Sequence, residues 1–140
     1  MIAPATFRHA ENRPVHVQHD PLDAHWAEAS GGKVGDEGRY VELVSRPLSG
    51  SSMLMGVDWP EPGQTHLLHS HAEAEEWYYV VRGDALFRVE DEEHLCGLGT
   101  GIFIPAGARH RVHNCGIETC EFLWGFNCGE LKGLTYVWHE

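Results

Sequence analysis

The sequence predicts an all-β sandwich or barrel, and three observations carry that expectation. Short β-forming runs recur at close intervals from Tyr40 onward, turn residues punctuate them, and no helical period persists through the same stretch. With 140 residues, of which 42% are hydrophobic and 10% aromatic, the chain has enough apolar material for one core and little room for a second.

The first 39 residues read as an extension of this domain, and residues 40–140 as the β domain itself. Arg13 to His19 alternates around Val15 and Val17 and predicts a short strand. Asp20-Pro21-Leu22-Asp23 then supplies a helix start, with Asp20 as the cap and Pro21 at the first helical position, and a brief helix is expected through Ala29. The glycine-rich stretch from Ser30 to Gly38 follows, expected to pack poorly and to serve as a lid.

Nine strands are expected after it: Tyr40 to Arg46, Ser52 to Trp59, Gln64 to His71, Glu76 to Arg82, Ala85 to Glu90, Gly101 to Ile104, His110 to Cys115, Thr119 to Asn127 and Leu134 to Trp138. Breaks stand at Pro60-Glu61-Pro62-Gly63, at Arg82-Gly83-Asp84 and at Pro105-Ala106-Gly107. The Tyr40 to Arg46 run is expected at a free sheet edge, where a second copy of the chain would pair to give a homodimer.

Charge excludes several functions. Lys+Arg total 10 against Asp+Glu 21, a formal net charge of −11, which repels nucleic acid and anionic membranes. No run of about 18 apolar residues exists, and Arg8 and His9 interrupt the place where a secretory signal would need its apolar stretch, so a cytoplasmic protein is expected. Cys96, Cys115, Cys120 and Cys128 lie at unequal intervals without a C-x-x-C pair and read as reduced, mostly buried thiols.

His69, His71, Glu76 and His110 carry the chemistry. His69-x-His71 places two imidazoles on one face of a strand, Glu76 comes from the next run and His110 from a third, so the four can ring one divalent cation. Without a cation, three imidazoles and a carboxylate buried together leave polar groups to satisfy at a cost in stability. The other eight histidines, His9, His16, His19, His25, His66, His94, His113 and His139, have no partner spacing that singles them out.

At these residues the sequence resembles the cupin superfamily. Gly63-x5-His69-x-His71-x4-Glu76-x6-Gly83 is similar to its first motif, and Gly99-x5-Pro105-x-Gly107-x2-His110-x3-Asn114 to its second, with the 15 residues from Asp84 to Leu98 between them. The resemblance covers roughly residues 52 to 127 and departs from the pattern only at Thr100, where an acidic turn residue is common. It implies a double-stranded β-helix, a jelly-roll barrel of two packed sheets, with the metal inside its mouth.

Four protein ligands leave one or two positions open for a substrate or dioxygen, and Fe(II), Mn(II), Ni(II) and Zn(II) all suit the donor set, Fe(II) being favoured. The cation makes the pocket receptive to a small anionic or chelating molecule. Alternation from Glu76 puts Tyr78, Val80 and Arg82 inward; Tyr78 is the expected acid or base beside Glu76, and Arg82 a candidate carboxylate clamp. Met53, Met55, Val57 and Trp59, and separately Phe122, Trp124 and Phe126, are candidate apolar walls. The expected activity is that of a non-haem iron dioxygenase; the alternatives are a lyase or isomerase using Tyr78, and a binding or sensor protein without turnover.

Overall fold

The computed structural model describes residues 2–20 and 22–140. Its elements run, in chain order, β1 (His16–Gln18), α1 (Ala24–Ser30), β2 (Gly38–Val44), α2 (Arg46–Ser49), β3 (Leu54–Asp58), β4 (Thr65–Ser70), β5 (Glu76–Arg82), β6 (Asp84–Val89), β7 (Glu92–Gly97), β8 (Gly101–Ile104), β9 (His110–His113), β10 (Glu121–Phe126) and β11 (Val137–Trp138). Two antiparallel sheets result, ordered β1-β2-β3-β10-β5-β8 and β11-β4-β9-β6-β7. The aromatic and aliphatic residues of their facing sides fill the space between them, as a jelly roll requires.

All nine expected strands are present, most of them trimmed at their ends. The strand that sequence reading missed is β7, whose residues Glu92–Gly97 are mostly exposed and so lack the apolar alternation that marks a half-buried strand. The helix starts later than expected. Asp23, not Asp20, caps it, accepting from the Trp26 amide at 3.0 Å, while Asp20 makes a local turn by accepting from the Leu22 amide at 2.8 Å. Pro21, expected at the first helical position, lies outside the described residues.

The Ser30 to Gly38 loop is anchored rather than free. Fully buried Asp36 accepts from the Leu67 amide and from the His66 ring, both at 2.7 Å, and the Glu37 amide donates to the Thr65 carbonyl at 2.9 Å. A carboxylate that serves two buried donors costs more to withdraw than loop glycines suggest, so the loop is part of the wall and not a lid. The Tyr40 to Arg46 run is also less open than expected, because β1 pairs with Gly38–Tyr40 and β3 covers the opposite side of β2.

Register places the site. On the inner face of the first sheet, Glu76 aligns with Phe126 and Leu54, Tyr78 with Trp124 and Gly56, and Val80 with Phe122 and Asp58, which in turn faces Tyr40. In the other sheet His69 stands directly opposite His110. Two motif residues outside the metal set have structural work. Gly83 turns with φ at 67°, and a Cβ there would meet the Thr119 carbonyl oxygen at 2.6 Å. Asn114, fully buried, donates to the carbonyls of Pro60 and Glu118 and accepts from the Gly116 amide, closing the turn after β9. Among the described residues, no helix is long and apolar enough to cross a membrane.

Candidate metal centre

His69 near the end of β4, His71 just beyond it and His110 at the start of β9 converge, one ligand nitrogen of each lying within 4.8 Å of the others. All three are at least 97% buried, at 1%, 3% and 1% exposure. Glu76, the first residue of β5, joins them from the opposite sheet: its Oε2 is 2.8 Å from His110 Nε2 and 3.9 Å from His71 Nε2. Ligands at right angles about a cation with bonds of about 2.1 Å stand about 3 Å apart, so these separations suit one ion with little adjustment.

The hydrogen bonds around the rings agree with that geometry. His69 Nδ1 donates to the Leu67 carbonyl at 2.6 Å and His110 Nδ1 to the Ala108 carbonyl at 2.9 Å, which turns both Nε2 lone pairs inward. His69 Nε2 and both nitrogens of His71 have no hydrogen-bond partner, and His110 Nε2 and Glu76 Oε2 face each other at 2.8 Å. Buried polar atoms left unpartnered in one small volume are what a cation would collect.

Charge states favour the same reading. Burial holds His69 well below the ordinary imidazole value and lowers His71 to about 4, so both are neutral near pH 7 and have lone pairs to give. Burial alone would raise Glu76, but His110 and His71 beside it outweigh that effect and keep the carboxyl low and ionised.

A small cavity of about 30 Å³ adjoins the cluster, sharing Glu76 with it. Tyr78 lines this cavity as alternation predicted, but its phenol is pushed well above the ordinary value, first by burial and then by the Glu76 carboxylate, which keeps it protonated, a hydrogen-bond donor and not a base. Of the two apolar walls, Phe122, Trp124 and Phe126 face the cavity, whereas Met53 is exposed. The inward face of β3 is instead Leu54, Gly56 and Asp58, because Trp124 lies across Gly56 and takes the volume a side chain would fill. Arg82 is exposed at the far end of β5 and is no clamp for a ligand in the cavity. The four cysteines are free, Cys96 and Cys120 buried, Cys128 half-buried and Cys115 exposed.

Sequence reading passed over His66. Strict alternation would point residues three apart to opposite faces, but the β4–β9 register shifts between His66 and His69, and the two rings end 4.1 Å apart. Burial lowers the His66 ring's affinity for a proton, yet Asp36 more than compensates, and the net shift is upward. Tyr136, from the chain end before β11, stacks on His69 with centroids 5.4 Å apart and meets His71 edge-on at 4.3 Å. No signal in a single sequence links that residue to the histidines.

Asp58 was also missed. Its carboxyl is pushed up to about 7, chiefly by burial, with Asp36 and Glu76 adding to the effect and His66 opposing it. A folded-state value above the unfolded one of about 3.9 means stability that is present below about pH 4 and is lost as pH rises through about 7. For metal-free protein, Asp58→Asn is therefore expected to match the wild type near pH 4 and to gain on it by up to about 4 kcal/mol at pH 8. Urea unfolding of both proteins across that range checks this, and a constant difference between them would refute it.

A cupin domain model matches residues 60–126, which contain all four converging residues. The chain belongs to the cupin superfamily. Among curated relatives, this cupin is 36% identical to protein SchB of Streptomyces halstedii over 74 residues, 53% of this chain and 54% of SchB. It is 27% identical to the tetracenomycin polyketide synthase protein TcmJ of Streptomyces glaucescens over 74 residues, 53% of this chain and 50% of TcmJ. The cupin thus spans about half the length of either relative. Its fold is similar to that of a predicted oxalate decarboxylase from Thermotoga maritima, with a TM-score of 0.68 and 20% identity over 90% of this chain and 97% of that one.

Proposed function

We propose that this cupin is a metal-dependent enzyme acting on a small chelating metabolite, with Fe(II) as the metal and dioxygen as co-substrate. The observation that carries the reading is the convergence of buried His69, His71 and His110, with the Glu76 carboxylate 2.8 Å from His110, beside a small cavity. When bound, iron would supply Lewis acidity and redox chemistry toward dioxygen. The protein's own part is orientation and exclusion of water. The backbone carbonyls of Leu67 and Ala108 hold two ligand rings in place, and Tyr136 and Phe126 pack against His71. The relatives range from a polyketide synthase protein to a predicted oxalate decarboxylase, so the proposal rests on the site rather than on them.

Elemental analysis of protein purified without chelators is expected to find one ion per chain, and Fe(II)-loaded protein to consume oxygen with a substrate. Oxygen-independent turnover by the zinc-loaded protein would overturn the oxidative reading and favour a second one, elimination or isomerisation. In that second reading the Tyr78 phenol, in the cavity beside Glu76 and kept protonated, would serve as a hydrogen-bond donor to negative charge developing on the substrate. Under it, Tyr78→Phe loses turnover while keeping its metal. Saturable ligand binding without product under either metal would make the protein a binding module.

A further inference from the structure

An antiparallel sheet at a domain surface ordinarily turns a polar face to water, and the sheet of β11, β4, β9, β6 and β7 does so. On its outer side Arg88 stands opposite both Arg111 and Glu93. The six-stranded sheet is different. On its outer side the register sets Phe103, Trp77, Gly125 and Met55 in one row across β8, β5, β10 and β3. Gly101, Tyr79, Leu123 and Val57 form the row beside it. None of these eight residues is charged, in a chain where 22% are, so about two would be expected on an ordinary solvent face.

Toward β3 the face is partly covered, with Val57 buried, and toward β8 it lies open. Trp77 is 37% exposed, Tyr79 42% and Phe103 60%. Those fractions of three aromatic side chains offer roughly 300 Å² of apolar surface. Met53, just before β3, is exposed too, and with the half-exposed Met55, Val81 and Leu123 the patch reaches roughly 550 Å². Two such patches bury roughly 1,100 Å² against each other, enough for a specific pair and small enough for one that separates on dilution.

Charge and shape select the occupant. A face without charges has nothing to recognise in an acidic or basic partner, and a chain of formal net charge −11 approaches its own copy with least repulsion where both surfaces are neutral. The patch is also self-complementary. The exposed Phe103 ring stands two residues along β8 from Gly101, where an added Cβ would meet nothing within 4 Å. One strand thus carries both a knob and a hollow, as a two-fold pairing requires.

We infer that two copies of this cupin pair face to face through the outer side of the six-stranded sheet, each copy's Phe103 seated over the Gly101 of the other. The paired sheets stack as the two sheets of a sandwich do, about 10 Å apart. The free edge at β1 and the histidine cluster take no part, so the pairing is independent of metal.

Sedimentation velocity on the full chain, from about 1 to about 100 µM, is expected to show a monomer giving way to a dimer. Phe103→Glu and Tyr79→Glu change exposed side chains, and each is expected to weaken the dimer by about tenfold or more. Gly101→Leu fills the hollow while adding apolar surface, and is expected to weaken it about fivefold, whereas nonspecific hydrophobic association would strengthen. Two controls are expected to keep the wild-type affinity: Leu95→Glu, nearly as exposed as Phe103 but on the other sheet, and Val17→Glu at the β1 edge. Thermal unfolding confirms that each variant is folded. Hydroxyl-radical footprinting locates the contact, with Trp77 and Tyr79 expected to be protected at the high concentration and open at the low one. A chain that stays monomeric throughout overturns the inference, as does a dimer that keeps its affinity in any of the three face variants or loses it in Val17→Glu.

Discussion

His110→Ala is expected to reduce the metal content from about one ion per chain to below about a tenth. Of the four converging residues, His110 is the one whose Nε2 approaches Glu76 to 2.8 Å, so its loss opens the ring at its tightest point. The same change abolishes the thermal shift on adding metal. For the wild type, metal at about 100 times its dissociation constant stabilises by about 2.7 kcal/mol, on the order of 10 °C for a domain of this size. Differential scanning fluorimetry with and without added metal, alongside elemental analysis, reads both effects. Wild-type protein that neither retains metal nor shifts on adding it would remove the basis of the proposed function. A variant that retained full metal content would show that the remaining three residues suffice and that His110 has another role.

The second large effect lies in the fold rather than the ligands. A Cβ added at Gly56 would stand 2.0 Å from the Val41 carbonyl oxygen and 2.4 Å from the Trp124 ring. The first contact is backbone in a paired neighbouring strand and the second is a buried indole, so neither yields cheaply. Gly56→Ala is expected to cost about 3 kcal/mol, near the top of the usual range for overpacking. Gly125 is the control. A Cβ there meets the Trp77 ring at 2.3 Å, but Trp77 is 37% exposed on the outer face and can swing toward solvent, for a cost of about 1 kcal/mol. Urea unfolding of the two variants side by side tests the contrast, and equal losses would contradict it. Because Gly56→Ala presses on Trp124, it is also expected to disturb the cavity while the histidine cluster in the other sheet keeps its geometry.

The strands and the histidine cluster were legible because both follow from short-range spacing. Alternation put His69 and His71 on one face, and Glu76 and Tyr78 on another, and the glycine and proline turns separated the runs. The departures arise where alternation breaks or where distant segments meet. A bulge in β4 brought His66 alongside His69. A glycine in β3 concealed which face was inward: Met53, Met55, Val57 and Trp59 look like the apolar wall until Trp124 is seen to occupy the space over Gly56, and Asp58 with it. The supposed lid was fixed by Asp36, whose partners His66 and Leu67 lie about 30 residues away and leave no local pattern. Trp26, Tyr40 and Tyr136 reach the site through tertiary packing alone.

The division of the barrel between chain segments has a consequence for redesign. All four candidate metal ligands lie within the portion matched by the cupin domain model, whereas Gln18, Trp26 and Tyr40, which shape the far side of the cavity, precede it. The two duties are thus carried by separable stretches of polypeptide. Exchanging the leading forty residues for those of another family member is a route to reshaping that far side while all four candidate ligands stay in place, provided that Asp36, which holds His66 and Leu67, is kept.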